Sequence, residues 1–426
     1  MKRSRLVLLI LLAWLCPLAA WSQSGAAATP APTPAATPSP TATPTPTPIP
    51  TTAPYTVSTL VPDGPLLQPA AVALDAAGNL YIADAGNNVI RKFDTGGNLT
   101  VLAGVLDRAE KYPQFNKAAA IASGQPIPDC TSTTGDHCLA GEALFSGPRG
   151  IAVDAKGNVF ISDSSASKIR KVHAASGKVT VYAGKELGGW SSTQIHNPEG
   201  IALDSQGNLY IADRANNAVR EVAPPAKPKL RGTMTTVAGM GPANRGCAAE
   251  GVPASAAPLN SPQDVAVDAA GDIYIADTGC HKIRRIGLDG TLTTVVGSGA
   301  GAAVPAIYNG PTAPALQVNL ITPVGVKVDA SGNLYISDPG ADVVWLYNAS
   351  TQAVSAIGGL GPNYIGNTVC TNKTNDFGDG CPGTQAKLHH PYRLAVDPQG
   401  NVYVPEQGGT SVPSHPFAIR VLQPAN

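Results

Sequence analysis

The sequence predicts an all-β fold: a six-bladed β-propeller of four-stranded antiparallel blades, closed by an N-terminal strand that completes the last blade. Three observations predict it. A unit of four short β-rich runs is written six times, and its runs are separated by turn residues. The run missing from the last unit is found ahead of the first.

The unit is clearest from Pro262 to Asp277, continued by His281-Lys-Ile-Arg-Arg-Ile286 and Thr291-Leu-Thr-Thr-Val-Val-Gly297. Its copies open at Pro69, Pro148, Pro198, Pro262, Pro323 and Pro391. A short apolar run such as Val72-Ala-Leu74 comes first, then an Asp and a tight turn ending in Gly-Asn or Gly-Asp, as at Gly78-Asn79 and Gly271-Asp272. Glycine there supplies the positive φ that a hairpin turn with a bulge requires. The second run ends in an acid, as in Leu80-Tyr-Ile-Ala-Asp84. The third carries Arg after a β-branched residue (Ile90-Arg91, Ile169-Arg170, Val219-Arg220, Ile283-Arg284, Ile419-Arg420), except in the fifth copy, which has Val344-Trp345. The fourth ends in Ala-Gly or Val-Gly, as at Ala103-Gly104.

Four such runs make one antiparallel sheet, which cannot bury both faces alone, so the copies must stack on one another. The chain ends then choose a ring over an open solenoid. The last copy stops after its third run, and Tyr55-Thr-Val-Ser-Thr-Leu60 matches the missing fourth. A strand shared in this way closes the ring and removes exposed edges.

These residues, Pro-x-[Gly/Asp]-[Ile/Val]-Ala-[Val/Leu]-Asp, Gly-Asn-[Leu/Val]-Tyr-[Ile/Val]-[Ala/Ser]-Asp and [Val/Ile]-Arg, resemble NHL repeats from Tyr55 to about Leu422. Propellers of that kind share a fold while differing in function, from protein and RNA binding through extracellular sensing to lyase or lactonase chemistry in a minority. The resemblance therefore implies the fold and does not choose among the functions.

The chain has 426 residues, 43% of them hydrophobic, enough for a sizeable core. Lys+Arg and Asp+Glu number 29 each, whereas a nucleic-acid reader usually carries a basic excess, so no nucleic-acid partner is expected. Met1-Lys-Arg-Ser-Arg5, an apolar run from Leu6 to Leu15 and small residues beyond it read as a secretory signal peptide over residues 1–24. The run is shorter than the ~20 residues that span a bilayer, so no transmembrane segment is expected. Cys16 raises lipidation, but Leu15 is bulkier than a lipobox normally has at that position, and export without lipid is the expectation. Residues 25–54, rich in Thr-Pro and Ala-Pro, cannot build a core and read as an extended linker. The propeller then fills residues 55–426, in a secreted or periplasmic protein expected to be a monomer.

Six cysteines follow Cys16, and an even number in an exported chain reads as disulfides. The repeat register favours Cys130 with Cys138, Cys247 with Cys280, and Cys370 with Cys381. A metal or redox pair is the alternative, but no Cys-x-x-Cys and no histidine cluster accompanies them.

The long connectors all join one blade to the next, at residues 105–147, 185–197, 240–261, 298–322 and 359–390. They therefore gather on one face, where binding usually lives on a rigid scaffold. The residues after each opening proline should rim the channel on that face. Arg149, Glu199, Gln263, Asp264, Tyr392 and Arg393 break the symmetry there, which reads either as a ligand site or as a solvated, salt-bridged rim. The strand-ending acids Asp84, Asp163, Asp213, Asp277, Asp338 and Glu406 invite calcium, but an acid repeated in every blade reads as a cap on backbone N–H groups. His196 and His389 share a register two residues before an opening proline. With Glu199 or Asp264 they could hold zinc across the mouth.

No nucleophile elbow, phosphate loop or metalloprotease motif occurs. The expected function is a binding scaffold for a protein, peptide or glycan, with no cofactor assigned and calcium or zinc left open. The alternative is a metal-assisted lyase or hydrolase at the channel mouth.

Overall fold

A computed structural model describes residues 55–61, 64–106, 138–185, 188–225, 232–301, 312–360, 378–408 and 417–424. The expected signal peptide and linker, residues 1–54, lie outside these. Six antiparallel sheets follow one another along the chain. In blade 4 the strands Pro262–Val267, Ile273–Asp277, Lys282–Ile286 and Thr291–Val296 lie side by side in sequence order. All five residues of Ile273–Asp277 are buried, because neighbouring blades cover both faces of the sheet. A strand buried on both faces needs a continuous apolar run rather than an alternating one, and Ile-Tyr-Ile-Ala supplies it.

Ring closure is as expected. Tyr55–Val61 pairs antiparallel with Ala418–Pro424, Val57 opposite Leu422, and becomes the outer strand of blade 6. The tight turns are held by their aspartates. Asp75 accepts the N–H groups of Ala77 (3.0 Å) and Asn79 (2.9 Å), and its other oxygen accepts the Asn79 amide at 2.8 Å and the Tyr81 hydroxyl at 3.1 Å. Asp204 and Asp397 repeat this arrangement, which explains why Asp, Asn and Tyr recur together.

The connectors differ from expectation. Cys138–Leu139, Val252–Pro253 and Ala313–Pro314 add a two-residue fifth strand to the outer edge of blades 2, 4 and 5. Each leads into a 3-10 turn, at Ala140–Glu142, Ala254–Ala256 and Ala315–Gln317, and Gly383–Gln385 forms the same turn before blade 6. The first carbonyl of each turn accepts the N–H of the glycine that ends the preceding blade, from Gly104 (2.9 Å), Gly239 (3.2 Å), Gly297 (3.0 Å) and Gly359 (3.0 Å). Three residues before every opening proline a buried apolar side chain follows: Leu66, Phe145, Ile195, Leu259, Leu320 and Leu388. The far ends of the connectors are thus wedges that seal one blade to the next. Leu320, for example, lies in one core with Ile283 and Val296 of blade 4 and Ile336 and Trp345 of blade 5.

Candidate functional site

Each blade opens with proline and two residues at the channel mouth, which begin the inner strand in blades 1 to 4 and lead into it in blades 5 and 6. The second of these is Ala71, Gly150, Gly200, Asp264, Gly325 or Arg393. Crowding explains the glycines: a Cβ on Gly150 would strike the Glu199 carbonyl, on Gly200 the Asp264 carboxylate, and on Gly325 the Ser337 hydroxyl. Small residues at four of the six positions leave room for two large ones, Asp264 and Arg393.

Arg393 fills the mouth. Its Nε donates to the Gln263 carbonyl at 2.9 Å, its Nη1 to the Arg149 carbonyl at 3.4 Å, and its Nη2 to Glu199 Oε2 at 2.7 Å and Gln263 Oε1 at 3.1 Å. One side chain of blade 6 thereby ties blades 2, 3 and 4, and is only 1% exposed. Burial alone would favour its neutral form, but Glu199, Tyr392 and Asp264 outweigh it and hold the guanidinium more firmly charged than usual. Glu199, itself 2% exposed, also faces Arg214 at 3.6 Å. Asp264 accepts the Val326 N–H at 3.0 Å and Lys327 Nζ at 2.8 Å through one oxygen, while its buried Oδ1 has no hydrogen-bond partner among the described residues. The Tyr392 ring packs against the Arg393 guanidinium, 4.8 Å from its centroid, and Arg149 Nη1 donates to the Tyr392 hydroxyl at 3.3 Å. All six rim residues singled out from the sequence therefore meet in one polar cluster.

The strand-ending acids are caps, as the repeat implied. Asp163 accepts the Ser146 N–H (2.6 Å), Asp213 that of His196 (2.7 Å), Asp277 that of Asn260 (2.8 Å) and Glu406 that of His389 (2.9 Å). Each also faces the Arg of its own blade, from Arg91–Asp84 at 2.7 Å to Arg284–Asp277 at 3.7 Å. In blade 5 the Trp345 indole takes the place of that Arg beside Asp338. Burial pushes Asp163 and Asp213 up to about 6 and Asp277 and Glu406 up to about 7, the capping N–H groups and the arginines only partly offsetting it.

The shared register of His196 and His389 has the same cause: what the fold uses there is the backbone N–H, so the side chain varies. The zinc set suggested by the sequence is not assembled. His196, His389, Glu199 and Asp264 are all described, and among the described residues no three His, Cys, Asp or Glu side chains converge to hold a metal ion.

Cys247 and Cys280 are disulfide-bonded, and so join the blade 3–4 connector to the turn after the second strand of blade 4. Beside the bridge, Glu250 is drawn to Lys282 (3.4 Å) and Arg284 (3.5 Å). Cys138 and Cys381 are disulfide-bonded as well, and the partners expected for them, Cys130 and Cys370, lie outside the described residues. Sequence reading missed two features here, the wedge residues and the reach of Arg393. The first left a signal, an apolar residue always three before the opening proline. The second left none beyond an odd Arg in a rim position.

Models of known families match two parts of the chain: the NHL repeat at residues 196–221 and the teneurin NHL domain at residues 226–307. Among solved structures, an auxiliary nutrient binding protein from Bacteroides ovatus superposes with a TM-score of 0.54 at 14% identity, over 88% of this chain and 78% of that one. A protein of unknown function from Bacteroides thetaiotaomicron gives 0.52 at 15% identity, over 87% and 76%. A gluconolactonase from Xanthomonas campestris gives 0.50 at 13% identity, over 87% and 89%. At such identities the likeness concerns the fold alone. Repeat pattern and ring closure agree with the matched models: the chain is a six-bladed β-propeller whose sequence matches NHL models over residues 196–221 and 226–307.

Proposed function

We propose that this is an extracytoplasmic propeller, exported by residues 1–24 and tethered by residues 25–54, that binds a protein, peptide or glycan on the face bearing its inter-blade connectors. The observation that carries the reading is the sealed mouth. Because Arg393 closes the channel on that face, a ligand meets a floor ringed by connectors rather than a tunnel. The Cys247–Cys280 bridge stiffens one of those connectors, which lowers the ordering cost of binding. A disulfide and a described structure in which no helix is long and apolar enough to cross a membrane are compatible with an extracytoplasmic site of action. Zero net charge argues against nucleic acid as the partner.

The test is binding of the oxidised protein to peptide and glycan arrays, repeated with a Cys247→Ser/Cys280→Ser variant that still melts cooperatively. A defined ligand whose affinity falls at least about tenfold in the variant supports the reading. Ligands bound equally by both proteins, or none at all, would overturn it.

A further inference from the structure

The rim cluster contains more positive charge than it uses internally. Arg149, Arg214, Lys327 and Arg393 stand against two carboxylates, Glu199 and Asp264. Both acids are occupied, Glu199 by Arg393 and Arg214, Asp264 by Lys327. Arg149 is the cation left over. Its guanidinium makes no ion pair among the described residues, and the Tyr392 hydroxyl is its only side-chain partner there.

That contact orients the hydroxyl. Since Tyr392 Oη accepts from Arg149, its own proton points elsewhere, and no described group accepts it. The ring is fixed from beneath by the Arg393 guanidinium and at its root by the Tyr392 N–H, which donates to the Pro405 carbonyl at 2.8 Å. Two donors, one charged and one neutral, are thus held side by side on a half-buried surface over a floor whose two carboxylates are already ion-paired. A planar guanidinium with unused N–H groups beside a fixed O–H matches a group that presents two or more anionic oxygens. Because the donors are already positioned, such a group would meet little ordering cost.

We propose that Arg149 and Tyr392 form an oxyanion-binding site at the channel mouth, taking a carboxylate, phosphate or sulfate group of the ligand. The proposal rests on the reading of this face as the binding face and names the chemistry it selects. Asp264 and Glu199 act as positioning residues, since their charges are spent on Lys327, Arg393 and Arg214.

Titration calorimetry at low ionic strength with the full chain tests it, using citrate, inorganic phosphate and inorganic sulfate as separate probes. At least one is expected to bind wild-type protein. Its affinity should fall about tenfold in Arg149→Ala, the loss of a charge-assisted pair, and about threefold in Tyr392→Phe. Arg285→Gln removes an Arg whose partner is Asp272 in the turn of blade 4, and should change nothing. Arg149→Lys keeps the charge without the fork and serves if the alanine variant does not fold. The probe that binds identifies the oxyanion. No binding by any probe, equal binding to Arg149→Ala, or equal weakening by Arg285→Gln would each overturn the site. If probe binding follows Arg149 while array ligands ignore the Cys247–Cys280 bridge, the connector reading fails and this site stands. The converse result faults this site alone.

Discussion

Two sets of carboxylates in this molecule are equally buried and wired differently. The strand-ending acids, such as Asp213 and Asp277, bind a backbone N–H and an Arg of their own blade. Glu199 and Asp264 reach cations of other blades, Arg393 of blade 6 and Lys327 of blade 5, Glu199 keeping the more distant Arg214 of its own blade as well. The first set shapes each blade and so recurs with it. The second holds blades together around the channel and occurs once. Burial alone therefore says nothing about role; the span of the partner does.

Arg393→Ala is the strongest way to break this contrast. It leaves the buried Glu199 with only the more distant, half-exposed Arg214 and releases blades 2, 3 and 4 from blade 6. A loss of about 3–5 kcal/mol is expected, the usual result of removing one partner of a buried pair, and urea unfolding measures it. Removing the Cys247–Cys280 bridge should cost less, about 2–4 kcal/mol, seen as a lower melting temperature in the double Ser variant and in reduced wild type.

The strand-ending acids make a prediction about pH. Asp163, Asp213, Asp277 and Glu406 have folded-state values raised to about 6 to 7, above those of an unfolded chain. Between roughly pH 4 and 7 the native state therefore holds protons that the unfolded state has released. Stability should fall as pH rises through this window and level off above it. Asp213→Asn should flatten the slope, and a melting series from pH 5 to 8 that rises instead would refute the wiring. Arg149→Ala should do least. With no carboxylate to strand, it is expected to stay within about 0.5 kcal/mol of wild type, although it lies on the same rim as Arg393.

How much of this could be read in advance follows the same division. The blades were legible because Asp75, Asn79 and Tyr81 bond within a few residues of one another, so each copy spells out its own turn. Closure was legible because Tyr55–Val61 lacked a blade and blade 6 lacked a strand. The rim residues could be named from broken symmetry, but not their contacts. Arg393 meets Gln263, Glu199 and Arg149, partners brought near only when the ring closes, and no local pattern encodes such a meeting. The histidines misled for a related reason: a position conserved in register for its backbone N–H resembles one kept for its side chain.

The position of the closing strands also has a consequence for synthesis. Residues 55–61 leave the ribosome before any other described strand, and their partner 418–424 leaves after all the others. Arg393 belongs to that last blade too. Until then the growing chain is an open arc with two unpaired edges, and Glu199 at its centre still lacks its strongest cation. Edge strands are sticky, and intermediates that expose them aggregate. The entropy of joining distant ends grows only slowly with length, so the wait rather than the closure is the hazard. The ring is closed by strand 418–424, and a chain stopped short of Ala418 would keep Arg393 yet leave Tyr55–Val61 with no strand to clasp.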